Sequence, residues 1–318
     1  MNKKVTNFLE RAYWIWVFIG CVVMWIAIGV ITSSFGFSSL ISIGLSASFL
    51  IIVALGQMIV ITTGRGAIDL SIPSVITLSA FLATGIINGA NERLLFGVVM
   101  VLAVGAFIGF LNSVLVIYLK IPPIIATLAM GNIVVTLSLL YNKGFSIFKI
   151  SPLLLDLTRK KFISIPLMIY FMLLVAIIID FVLRKTTFGR FLIAIGQNIK
   201  AAFFSGVKTN LTQVLAYTIC GFLASLMGIL LSARIGGPFL GMGDSYLLET
   251  VGAVVIGGTL IFGGRATVIG TIFGGLFLVL TVTTMQITGL SIGIQQIIKG
   301  LLLIVVLTFA SGKGISEE

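Results

Sequence analysis

The sequence predicts an all-α integral membrane protein of about ten transmembrane helices, and three observations predict it. Of its 318 residues, 59% are hydrophobic and 9% charged, where a soluble globule carries about 25% charged residues. Mean hydropathy is +1.24. The stretches Ala12–Gly64, Leu70–Asn91, Leu94–Leu119, Ile121–Asn142, Thr209–Ala233 and Ala266–Ile298 contain no Asp, Glu, Lys or Arg. Each can supply the roughly 20 apolar residues of a spanning helix, and the longest crosses twice. The pI near 9.9 would suit nucleic acid, but in a chain mostly embedded in lipid the excess Lys and Arg follow the positive-inside bias, so no nucleic-acid partner is expected.

Taken in order, the apolar segments are 14–33, 40–63, 70–88, 94–118, 121–141, 164–183, 211–233, 246–262, 266–286 and 291–310. Together they form a single transmembrane domain over 1–318. The first follows Lys3, Lys4 and Arg11, yet it is too long for a signal peptide and lacks a small-x-small cleavage site, so it reads as a retained span. Ten spans put both termini on one face. That face collects twelve basic residues: Lys3, Lys4, Arg11, Arg65, Lys120, Arg184, Lys185, Arg190, Lys200, Lys208, Arg265 and Lys313. The other face collects seven, namely Arg93, Lys143, Lys149, Arg159, Lys160, Lys161 and Arg234. The bias sets both termini in the cytosol and leaves 142–163 as a basic external loop suited to an acidic partner surface.

Two segments interrupt spans with Gly, Arg and hydroxyl residues: TTGRGAIDLSIPS from Thr62 and GGTLIFGGRATVIGT from Gly257. Broken backbone at membrane depth persists only when buried in protein or lining a cavity. For the second, a tight turn at the membrane surface is an equal alternative. In the first, Pro73 suits the opening turn of a helix with Asp69 or Ser71 as N-cap.

The loop 184–210, RKTTFGRFLIAIGQNIKAAFFSGVKTN, carries five basic residues and no acid. Ile193–Gly206 reads as one short helix punctuated by Gly196 and Gly206. Ala201 and Ala202 allow close approach, and Phe203 and Phe204 offer apolar anchors, one for a partner's groove and one for packing back on the bundle.

Charges inside spans are few. Asp180 and Arg184 can pair across one helical turn. Lys299 lies near mid-span, where a cation costs about 2.5–3.5 kcal/mol. It needs a carboxylate, helix-end carbonyls or water, and Glu249 is the nearest acid by depth. Structural and pathway roles both stand for Lys299. Amides and hydroxyls that could line a path for a neutral polar substrate are Gln57, Asn112, Thr127, Asn132, Gln286, Gln295 and Gln296; for each, the alternative is an interhelical hydrogen bond. Cys21 and Cys220 both fall inside spans and suggest no disulfide framework. No GxxxxGK[ST] motif is present, so the chain has no P-loop of its own.

Several stretches together resemble the permease subunits of bacterial ATP-binding-cassette (ABC) importers for monosaccharides, the ribose and xylose type. GQMIVITTGRGAIDLSIPSV from Gly56, GFLNSVLVIYLKIPPIIATL from Gly109, GRFLIAIGQNIKAAFFSGV from Gly189, VGAVVIGGTLIFGGRATVIGT from Val251 and QQIIKGLLL from Gln295 occur in the family's order. Arg65 and Gly66 expand the usual Gly-Gly turn, Pro73 stands where Gly is usual, and Ile199 and Lys200 replace the usual acids after Asn198. The resemblance implies an ABC importer permease fold with short broken helices, in the bacterial cytoplasmic membrane, and a transport subunit rather than an enzyme. It implies ATPase coupling through Gly189, Ala194, Gly196, Asn198, Ala201, Ala202, Phe203, Phe204 and Gly206, and structural roles for Asp69, Pro122, Pro123 and Glu249. It implies that this chain binds no cofactor, ATP and Mg residing on partner ATPase subunits. The other implied partners are an extracytoplasmic sugar-binding protein and a second permease copy or paralogue. Permeases for branched-chain amino acids or nucleosides share part of the pattern, and a stand-alone channel or secondary transporter is the rival of another class.

Overall fold

A computed structural model describes residues 14–33, 36–142 and 149–312. Lys3, Lys4, Arg11, Lys143 and Lys313 lie outside the described residues. Every expected span has its helix: α1 (Trp14–Thr32), α2 (Phe37–Thr62), α3 (Ile72–Ile87), α4 (Leu94–Ser113), α5 (Pro123–Asn142), α7 (Leu167–Lys185), α10 (Thr209–Ile235), α11 (Tyr246–Ile256), α12 (Val268–Ile287) and α13 (Ile292–Gly312). Between spans lie α6 (Pro152–Arg159), the hairpin β1 (Lys161–Phe162) and β2 (Ile165–Pro166), and two surface helices, α8 (Thr187–Gln197) and α9 (Ile199–Phe204). Among the described residues, seven helices are long and apolar enough to cross a membrane, with α3, α11 and the apolar part of α13 shorter.

Helix α2 is the hub. Its 26 residues rise about 39 Å, and 89% of its apolar window is buried. On one side α10 packs against α2, α3 and α4, with α5 beyond α3; on the other, α12 packs against α1 and α2, and α11 lies between α2, α12 and α13. Without a hydrophobic drive between helices in lipid, close backbone approach and van der Waals contact must hold them. The α4–α10 crossing shows this directly. A Cβ on Gly105 would lie 2.5 Å from the Gly221 carbonyl oxygen, one on Gly109 2.2 Å from that of Tyr217, and one on Gly221 2.2 Å from that of Gly105.

The helix ends follow local chemistry. Pro73 sits in the first turn of α3, Asn88 takes a left-handed conformation at its end, and Gly236 (φ 103°) closes α10. Ser71 occupies the α3 N-cap position, but its hydroxyl donates to Asp69 Oδ1 rather than capping the helix (2.6 Å). The single helix expected over Ile193–Gly206 is two helices, because Asn198 is extended (φ −159°, ψ 105°). There its side chain caps α9 by accepting from Ala201 N at 3.0 Å.

Helix α11 has 11 residues, about 16 Å, half the hydrocarbon thickness. Before it, the chain from Gly236 to Ser245 turns back into the bundle without regular structure. Gly243 N donates to Thr77 Oγ1 (3.2 Å), and a Cβ on Gly243 would lie 2.1 Å from the Pro73 carbonyl oxygen. The eighth span is therefore interrupted ahead of its helix. After the helix, Gly257–Thr267 forms a surface turn, held by Arg265 donating to Gly258 O (2.7 Å) and Thr267 Oγ1 donating to Gly257 O (2.8 Å).

Candidate functional site

Contacts sort the loops onto two faces as the sequence grouping expects. On one face, Thr63, Arg65, Gly196, Lys200 and Phe262 border one hollow, and Arg65, Lys120 and Asn210 border another. On the other, Ser151 donates to Asn91 Oδ1 (2.6 Å) and Arg159 to the Arg234 carbonyl (3.4 Å). Lys160 is paired with Asp156 (2.8 Å) on an exposed helix face. Arg184 pairs with Asp180 (2.7 Å) at the end of α7.

The surface pair α8–α9 is fastened to the bundle by glycines. Gly64 and Gly264 have φ of 80° and 79°, a region L side chains rarely adopt. Gly264 N donates to Thr62 O (3.1 Å), ending α2 against the 257–267 turn. Gly196 slots between them: a Cβ there would lie 2.1 Å from both Gly264 N and Thr62 O. A Cβ on Gly189 would lie 2.0 Å from the Leu183 carbonyl oxygen, which fixes the turn from α7 into α8. Ala194 sits in α8, its carbonyl accepting from Asn198 N (3.0 Å), and Gly206 (φ 81°) leads out of α9 toward α10. Ala202 is buried, so the expectation that it faces a partner is corrected; Ala201 is exposed. Phe203 and Phe204 are 63% and 85% exposed and touch each other edge to face at 5.8 Å. Neither packs back on the bundle, because Ala202 and the partly buried Ile199 supply the inward face of α9.

Inside the bundle, Asp69 is 3% exposed and anchors a polar knot. Its Oδ1 accepts from Ser71 N (2.9 Å), Ser71 Oγ (2.6 Å) and Asn112 Nδ2 (3.3 Å), while Asp69 N donates to Gln57 Oε1 (3.3 Å). Thr127 accepts from Leu70 N (3.0 Å) and donates to Pro123 O (2.8 Å), tying the opening of α5 behind Pro122 and Pro123 to the same strand of chain. Gln57, Asn112 and Thr127 are all 0% exposed. In this structure they brace the broken segment between α2 and α3. The sequence offered Ser71 only as a candidate N-cap and not as a partner of Asp69, since nothing in it separates this serine from the many that hydrogen-bond their own helix. Asp69→Ala leaves the Ser71 N–H and hydroxyl without an acceptor, about 1–3 kcal/mol for each orphaned group. We expect a large loss of folded, detergent-soluble protein, largely recovered by Asp69→Asn, which keeps an acceptor oxygen. Equal yields for Asp69→Ala and wild type would show that the knot contributes nothing.

Glu249 in α11 meets Lys299 in α13 at 2.6 Å, the partner expected from depth, with both side chains only about 15% exposed. The pair borders a cleft of about 200 Å³ that also reaches Asp244, Ser245, Thr281 and Gln296. Gln296 and Lys299 thus share one site. Gln295 is turned away, donating to Leu290 O (2.8 Å), and Asn132 and Gln286 are exposed elsewhere. Cys21 and Cys220 are both free and buried.

Helices of this length and apolarity, packed through their glycines around a charged pair, make this a multi-pass membrane protein. The chain belongs to the family described as branched-chain amino acid transport system / permease component, whose model matches residues 39–307. It is similar to the ribose import permease protein of Bacillus subtilis (strain 168), 32% identical over 265 residues, covering 80% of this chain and 79% of the relative. The ribose import permease protein of Escherichia coli (strain K12) is 31% identical over 263 residues, with 80% and 79% covered. The autoinducer 2 import system permease protein of Salmonella paratyphi B (strain ATCC BAA-1250 / SPB7) is 33% identical over 264 residues, with 83% and 75% covered. No solved structure matches. The chain is a transport subunit of the ABC type in a bacterial membrane, and not an enzyme.

Proposed function

We propose that this chain is the membrane subunit of an importer for a monosaccharide or a similarly small, hydroxyl-rich molecule. In this reading the face bearing α8 and α9 is cytosolic, and ATPase subunits carrying ATP and Mg dock there. An extracytoplasmic binding protein delivers substrate to the opposite face, and a second permease copy or paralogue completes the pathway. The substrate class rests on the ribose and autoinducer 2 permeases to which the chain is similar.

The observation that carries the reading is the build of α9. A short helix presents two exposed aromatic rings, while the end of α8 that leads into it is locked at Gly196 against the ends of α2 and of the turn after α11. A solvated loop has no use for either feature. A rigid lever pushed from outside needs both, since exposed aromatics are the usual anchors of an interface and a compliant base would absorb the push. Replacing Phe203 and Phe204 together with Ser should leave membrane insertion intact and cut ATPase co-purification and substrate-stimulated hydrolysis at least tenfold. Ala201→Arg should do the same by obstruction. Wild-type hydrolysis in both variants, or substrate movement by the purified chain alone in liposomes, would overturn the reading in favour of a channel.

A further inference from the structure

Behind α9, on the bundle side, lies a cavity of about 380 Å³ that the transport reading does not use. Its rim carries two cations, Arg65 and Lys120, and among the described residues no carboxylate lines it. Both cations sit on backbone in the left-handed region, with φ of 56° and 55°. Such strain in non-glycine residues costs about 1–3 kcal/mol and persists where the surroundings impose it, often at ligand sites. Lys120 also follows a π-helical turn, Val114–Tyr118, another feature concentrated at functional positions. Asn210 and Gln213 add amides to the lining.

Tyr217 also lines the cavity, but it is 1% exposed and its hydroxyl is closed off from the open space. Asp69, the acid nearest in the interior, is already turned to Ser71 and Asn112. The field at the mouth is positive, since the adjoining loop adds Arg190, Lys200 and Lys208 with no acid.

We propose that this cavity is an anion site for a phosphate group, held by Arg65 and Lys120, with the amides of Asn210 and Gln213 in the lining as further donors. Arg65 follows the end of α2, Lys120 precedes α5, and Ile199 of α9 forms part of the wall. An occupant therefore ties the first turn of α9 to two other elements and restrains it. A phosphorylated sugar inside the cell and a lipid phosphate headgroup share the required chemistry.

The test uses the purified full-length chain in phosphatidylcholine nanodiscs, with inorganic phosphate or ribose 5-phosphate as probe and chloride at equal ionic strength as control. Phosphate should raise the melting temperature. Arg65→Gln and Lys120→Gln should each weaken that response about tenfold or more, as expected for a lost charge-assisted hydrogen bond. Arg65→Lys and Lys120→Arg separate a ligand role from a structural one: they keep the charge and should retain much of the response to phosphate. If phosphatidylglycerol in the disc stabilises wild type but not Arg65→Gln, and abolishes the response to added phosphate, the site holds and its occupant is a headgroup. No response to either source, or one undiminished in the Arg65→Gln/Lys120→Gln double variant, overturns the proposal. In the assembled complex, phosphate should slow substrate-stimulated hydrolysis. That last effect rests on α9 being the coupler, whereas binding to the isolated chain does not, so the two can fail separately.

Discussion

Lys299→Glu should prevent assembly of a folded bundle. It sets a second carboxylate against Glu249, where an ammonium now sits at 2.6 Å with both side chains mostly buried. Two like charges about 4 Å apart repel by roughly 4 kcal/mol at an effective dielectric of 20, and the lost attraction adds to this. Breaking a buried pair by removing one partner costs about 3–5 kcal/mol, so Lys299→Met is also expected to lower folded yield, because it strands Glu249 in the bundle. Two double variants separate pairing from transport. Glu249→Lys with Lys299→Glu restores the pair in reverse and should recover folded protein. Glu249→Gln with Lys299→Met removes both charges and should fold as well. Transport measured in liposomes with the ATPase then reports on the cleft: full transport by the neutral double variant would reduce the pair to a structural strut. Failure of the reversed pair to recover any folded protein would show that the two side chains do not depend on each other.

Gly196→Val should detach the coupling element while leaving the spans inserted. The new Cβ would fall 2.1 Å from Gly264 N and from Thr62 O, both backbone atoms that cannot swing aside. Overpacking of this kind costs about 1–3 kcal/mol where neighbours can adjust, and more where they cannot. The least stable part moves first, so α8 should lift from the ends of α2 and of the 257–267 turn rather than the core opening. We expect faster tryptic cleavage at Lys200 and Lys208 in membranes, unchanged insertion, and transport reduced at least tenfold. Wild-type protease resistance together with wild-type transport would mean that the glycine junction is not needed.

The spans were legible because the bilayer imposes a coarse, local rule. A run of about twenty residues without charge has few other places to go, and each of the ten segments contains a helix close to its expected bounds, except the eighth, whose helix stops at Ile256 rather than 262. Pairs on one helix were legible for the same local reason, as with Asp180 and Arg184. Lys299 and Glu249 lie fifty residues apart, yet they were matched because depth in the membrane is a coordinate the sequence carries. Among the polar spans such matching worked only for charges. Gln57, Asn112 and Thr127 read as pathway residues, and in this structure the buried Asp69 recruits Asn112 and Ser71 directly, with Gln57 and Thr127 pairing to the chain on either side of it. An amide on a helix shows the same letter whether it faces a cavity or a carboxylate.

Composition and hydrophobic run length by themselves determined that this is an all-helical membrane protein, how many times its helices recur, and which loops share a face. Those properties depend on solvation, which each residue experiences largely on its own. Only the tertiary structure decided that Asn198 breaks the surface helix, that Ala202 is turned inward while both Phe203 and Phe204 are turned out, and that Gly64, Gly196 and Gly264 form one junction. The junction depends on backbone atoms from distant segments coming within about 3 Å of one another, and which side of α9 is turned inward depends on the bundle beneath it; packing at that range is set by the whole bundle rather than by any stretch of it.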